Sequence, residues 1–150
     1  MNTQPDFEEL LRLLENLNIE YMIIGGYAVA YHGYPRFTKD IDIFYRCTKD
    51  NVEKLRKALV LFGFSEKDLP VELFMTLGNV LTFGVAPVRV DLLNQIDGIS
   101  FDDARDHIVK GRYGSVQASF IGFDDLIKNK KATQRLKDKA DIEELLQSNT

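Results

Sequence analysis

The period of the apolar positions changes several times along the chain, and each change marks an element. Leu10, Leu11, Leu13, Leu14 and Leu17 recur at helical spacing behind Pro5-Asp6, with Glu8 and Glu9 where a helix dipole favours acid, so an amphipathic helix opens the chain. Ile19 to Ile24 (IEYMII) is a short β-prone run that stops at Gly25-Gly26 and passes into YAVAYH, giving strand, glycine turn and short helix. Gly33-Tyr34-Pro35 ends that helix. Asp40 to Tyr45 (DIDIFY) begins with polar and apolar residues alternating at period two, as a half-buried strand does, which places Asp40 and Asp42 on one face.

Asn51 to Phe62 has leucines at helical spacing and stops at Gly63. Asn79 to Phe83 and Val88 to Leu93 are two β-like runs around GVAP, read as a hairpin whose second strand carries Asp91. Ser100 is the expected cap of a helix reaching Val109, and Ser115 to Ile121 reads as a strand. From Phe123-Asp124-Asp125, helical spacing runs almost to the C-terminus with a break near Thr133-Gln134. The pattern holds no repeat, low-complexity tract or linker. It predicts a single domain over 1–150 whose last part, about 123–148, is helical.

Composition narrows the class. With 150 residues and 45% hydrophobic content the chain suits one domain and is short for two. A net charge of −4 and a pI near 5.2 argue against whole-surface attraction to nucleic acid, so any RNA contact must be regional. Cys47 is the sole cysteine, which excludes an intramolecular disulfide and, with two histidines, disfavours structural zinc. The acidic N-terminus lacks a signal-peptide pattern, and no run approaches the roughly 20 apolar residues of a membrane span. A cytoplasmic protein without membrane contact is expected.

The candidate chemistry lies in DIDI. Two carboxylates at i and i+2 on a strand stand roughly 6.6 Å apart at Cα, close enough to share metal ions. Asp-x-Asp alone is weak, since most such pairs are solvated surface carboxylates. Here a strand ending in Gly25-Gly26 stands just upstream, where backbone N–H groups could receive a triphosphate. Phosphate grip beside metal grip is what nucleotidyl transfer requires.

IIGGYAVAYHGYPRFTKDIDI resembles the signature of the DNA polymerase β-like nucleotidyltransferase superfamily, Gly-Gly or Gly-Ser followed by Asp-x-Asp among apolar residues. The Arg36-x-Thr38-x-Asp40-x-Asp42 form is similar to the bacterial branch of AbiEii-type toxins and small antibiotic nucleotidyltransferases, as is KNKKATQRLKDKADIEELL near the C-terminus. The resemblance implies a minimal α+β fold of that superfamily, a mixed β-sheet flanked by helices. It implies Asp40, Asp42 and Asp91 as catalytic carboxylates binding two Mg²⁺ ions, with Asp91 as ligand or base; the plainer alternative for Asp91 is an exposed strand end or a pair with Arg89 or another basic residue. It implies an NTP, for instance ATP, as co-substrate. Gly25, Gly26, Arg36, Thr38, Lys131 and Arg135 are the nucleotide-binding candidates, with the choice among the C-terminal lysines left open and Asp138 and Asp141 read as orienting those cations or as surface pairs. His32 and His107 are read as packing or surface residues.

The expected reaction moves a nucleoside monophosphate to an acceptor hydroxyl and releases pyrophosphate. A toxin acting on tRNA, other RNA or protein, with an antitoxin partner, is the leading expectation. An enzyme acting on a small-molecule antibiotic and a non-catalytic antitoxin-like module are the alternatives.

Overall fold

The computed structural model describes residues 3–35, 38–85 and 88–149. Helix α1 (Pro5–Asn16) turns Phe7, Leu10, Leu11 and Leu14 inward, as its leucine spacing predicts. The first strand, β1 (Tyr21–Ile24), is buried throughout and leads directly into α2 (Gly25–Tyr31), which starts at the glycine pair itself. Strand β2 (Asp40–Tyr45) follows, then α3 (Lys49–Phe62), N-capped by the Thr48 side chain accepting from the Asn51 N–H. A 3-10 turn at Glu66–Asp68 and α4 (Val71–Met75) lead to β3 (Val80–Phe83) and β4 (Arg89–Leu93). Helix α5 (Phe101–Arg105), β5 (Val109–Tyr113), β6 (Val116–Phe120), α6 (Phe123–Thr133) and α7 (Leu136–Ser148) complete the described chain.

The strands form one six-stranded sheet in the order β3-β4-β2-β1-β6-β5. It is mixed: β1–β6 and β2–β4 pair in parallel, and the remaining neighbours pair antiparallel. Period-two alternation divides the core. Tyr21, Ile23, Ile41, Ile43, Val90 and Leu92 pack with α1 and α3 on one face. Met22, Ile24 and Phe44 pack with α2, α5, α6 and α7 on the other. Asp40, Asp42 and Asp91 alternate onto this second face, where the helical cover is incomplete. Phe101 of α5 meets the ring of Phe44 at 5.2 Å. The rim one step along the strand, at Asp42, stays open.

Four elements differ from the sequence reading. The helix beginning after Ser100 ends at Arg105, and a strand the apolar pattern did not indicate, β5, follows it. Its VKGRY has little apolar content because the strand lies on the sheet edge, and its glycine is needed where the Tyr31 ring lies against Gly111. The short α4 and the turn before it are likewise absent from the reading, since neither is long enough to show a period. The C-terminal helical stretch breaks at Gln134, which has the left-handed φ of 59°. No helix among the described residues is long and apolar enough to cross a membrane.

Leu14 is fully buried where α1 meets the sheet. Leu14→Ala should lower unfolding free energy by about 2–5 kcal/mol, through lost burial and the cavity left behind. Urea denaturation followed by circular dichroism measures it; a change below about 1 kcal/mol would show that α1 does not anchor the core.

Candidate active site

Parallel pairing sets the carboxylates. The β2–β4 register places Asp42 directly beside Asp91, and Asp40 beside Arg89. Two acids side by side on a partly covered face repel, and burial sharpens the repulsion. Asp42 is accordingly pushed up to about 7, first by burial, then by the charge of Asp91 and a hydrogen bond shared with it, and by Asp40; Lys130 acts in the opposite direction. The Oδ1 of Asp91 accepts from Thr82 Oγ1 at 2.7 Å and from Arg89 Nε at 3.2 Å. The same Arg89 Nε stands 3.9 Å from Asp40 Oδ2.

The glycine turn is shaped by these acids. Gly25 has φ of 68°, and a β-carbon there would collide with Asp42 Oδ2. The position requires glycine both for its backbone conformation and for the approach of β1's end to the carboxylate. Gly26 lies under Thr38, whose Oγ1 would stand 2.9 Å from an added β-carbon and donates to Asp40 O at 3.1 Å. Thr38 thus sits behind the glycine turn and does not line the cleft.

The cleft, of about 360 Å³, is floored by Gly25, Asp42 and Asp91 and flanked by Lys130, Thr133 and Arg135. Its third wall is the turn bridging Ile96 and Ile99, held by Asn129 Nδ2 donating to Asp97 O at 2.9 Å. Lys130 is buried and donates to Asp138 at 2.8 Å and Asp141 at 3.1 Å. Asp138 also accepts from Thr133 Oγ1 and from Arg135 Nε at 2.7 Å. Burial alone would raise its pKa, but hydrogen bonds from Lys130, Thr133 and Arg135 outweigh this and hold Asp138 down at about 2. Two acids therefore neutralise and aim two cations.

The predicted residues divide as follows. Gly25, Asp42, Asp91 and Arg135 line the cleft; Asp40 stands on its rim strand, paired with Arg89. Arg36 lies outside the described residues. Lys131 is exposed and away from the cleft, because one step along a helix turns a side chain about 100°. The lysine in the cleft is Lys130, which no spacing in the sequence distinguishes from its neighbour. Gln95, Asp97, Asn129 and Thr133 also line it and were not anticipated; no motif marks them. His32 donates from Nε2 to Ile121 O at 2.7 Å, and His107 pairs with buried Asp125 at 2.9 Å, both outside the cleft. Cys47 is a half-buried free thiol.

Among the described residues no three His, Cys, Asp or Glu side chains close round one point as a ready-made metal cage. The donor set nonetheless fits a hard divalent cation. Asp42 is half-buried against Asp91 with a raised affinity for a proton, which is the electrostatic demand a cation would meet, and Mg²⁺ takes one or two carboxylates and completes its shell with water and phosphate.

Residues 6–104 match the family model described as aminoglycoside-2''-adenylyltransferase, a span that holds Gly25, Asp40, Asp42 and Asp91. Among solved structures, the chain is similar to the lincomycin-bound crystal structure of the lincosamide antibiotic adenylyltransferase LnuA. The TM-score is 0.58 with 15% identity, over 97% of this chain and 98% of that one, a likeness of fold. No curated protein sequence matches the chain.

Since folding raises the pKa of Asp42, its protonated form contributes stability that is present at low pH and lost as pH rises through about 7. Asp42→Asn lacks this loss. The metal-free variant should therefore melt several degrees above the parent at pH 8, with the gap narrowing towards pH 5, by calorimetry across that range. A gap independent of pH would show that Asp42 is not held at raised pKa.

Proposed function

The chain belongs to the aminoglycoside-2''-adenylyltransferase family and is a nucleotidyltransferase of the polymerase β-like superfamily, and from that premise we propose that it adenylylates a hydroxyl of a small antibiotic-like acceptor. The observation that carries this is the cleft itself. It opposes the Asp42–Asp91 pair to Lys130 and Arg135 across about 360 Å³, a small-molecule volume. A tRNA or protein acceptor would need a broad complementary surface, and the net charge of −4 gives RNA no general attraction. The toxin reading has no support from the family or from the fold likeness, whereas the small-molecule reading has both. Acidic Asp97 on the cleft wall suits an acceptor carrying amino groups.

In this reading ATP lies with its triphosphate towards Lys130 and Arg135, and the acceptor approaches from the side of Asp97. Lys130 has two of its three N–H donors taken by Asp138 and Asp141, leaving one for a phosphate oxygen. Mg²⁺, as two ions, would be held by Asp40, Asp42 and Asp91 and would supply charge neutralisation at the phosphates. Asp91 would take the proton of the acceptor hydroxyl as that oxygen bonds to the α-phosphorus; the bond from the α-phosphorus to the β-phosphate oxygen breaks, and pyrophosphate leaves with the electron pair. Gly25 keeps the turn backbone close enough to Asp42 for triphosphate and carboxylates to share one space.

Incubation with ATP, Mg²⁺ and a panel of aminoglycosides and lincosamides, read by pyrophosphate release and by mass gain of an AMP unit on the acceptor, tests this. Asp42→Asn should lower the rate by at least about a thousandfold with an unchanged circular dichroism spectrum. An AMP mass gain on added RNA or protein and on no small molecule would overturn the acceptor assignment.

Mg²⁺ and ATP added together should raise the melting temperature by more than the sum of their separate shifts, since the triphosphate would bridge the cation and the basic flank. Additive shifts would place the two ligands at independent sites.

A further inference from the structure

Two of the three carboxylates, Asp40 and Asp91, already face a cation, and it belongs to the chain. Arg89 is the register neighbour of Asp40 across the β2–β4 pair and stands two residues before Asp91 on the same strand face. Its Nε lies 3.2 Å from Asp91 Oδ1 and 3.9 Å from Asp40 Oδ2, so one guanidinium spans the two strands and reaches both acids. Thr82 Oγ1 holds the same Asp91 oxygen from the other side. The Arg89 side chain is 44% exposed, so it is free to leave without opening the core.

A divalent cation needs carboxylate oxygens bare of other cations, and a guanidinium that fills Asp91 Oδ1 competes with it directly. We propose that Arg89 is the resident counter-ion of the metal-free site, which must release Asp91 and Asp40 before these acids can take a divalent cation. The apparent cation affinity is then the intrinsic affinity reduced by the fraction of molecules in which Arg89 has let go. This arrangement also explains how a chain can keep three acids on one partly covered face before any ligand arrives. The arginine offsets Asp40 and Asp91. The inference rests on the reading of the site as a cation-binding nucleotidyl-transfer centre.

Calorimetric titration with Mg²⁺ and side-chain ¹⁵N–¹H spectra of the metal-free protein test it. Asp42→Asn serves as the control for the underlying reading: if the parent shows no Mg²⁺ binding that this variant removes, the cation site fails and the inference with it. Given such binding, Arg89→Gln should bind Mg²⁺ about two- to fivefold more tightly, the range expected for losing a partly exposed ion pair. Loss of a nearby positive charge could by itself tighten binding, so the second measurement follows Arg89 directly in the parent. Its Nε–H signal, identified by its absence from Arg89→Gln, should be protected from exchange without metal and lose that protection at saturating Mg²⁺. An unchanged or weaker affinity in Arg89→Gln, or an Nε–H that stays protected with Mg²⁺ bound, would overturn the proposal while leaving the cation site in place.

Discussion

The parallel pairing of β2 with β4 sets two aspartates side by side on one sheet face, and the surrounding structure answers that repulsion. Asp42 and Asp91 occupy the same register position, so neither can leave this face without shifting the ladder. Thr82 and Arg89 engage Asp91, Gly25 omits a side chain to leave room for Asp42, and Lys130 adds a favourable charge from α6. Such an arrangement costs stability and is retained where the acids have work to do.

The opposite wall solves the converse problem. Lys130 is too buried to stand alone as a charge, so α7 brings Asp138 and Asp141 to it across the break at Gln134. Arg135, the residue before α7, joins the same carboxylate and stays largely exposed at its other end. The left-handed turn at Gln134 therefore does more than end a helix: it folds two acids back onto the lysine they neutralise. The cleft acquires a negative floor and a positive flank, each locally compensated, which is the polarity that a triphosphate and its counter-cations need.

The closeness of fold to a lincosamide adenylyltransferase at only 15% identity shows that the sheet and its helices tolerate wide change in sequence. In the proposed reading the acceptor would meet the wall nearest solvent, the turn carrying Asp97 and the side chains of Gln95 and Asn129. These residues belong to loops and exposed helix faces, where substitution disturbs no core packing.

The sequence by itself was enough for the strand carrying Asp40 and Asp42, the glycine turn before it and the strand carrying Asp91, because alternation at period two and a glycine pair are local signals. It also located the helix break near Gln134. It did not reveal β5, whose polar edge residues carry no apolar period, nor which C-terminal lysine enters the cleft. Lys130 and Lys131 are chemically alike and adjacent, and only the rotation of α6 against the sheet separates a buried cation from an exposed one. The pairing of Arg89 with Asp40 was equally out of reach. It depends on the register between two strands more than forty residues apart, and register is decided by the packing of whole sheet faces, with no local pattern to announce it.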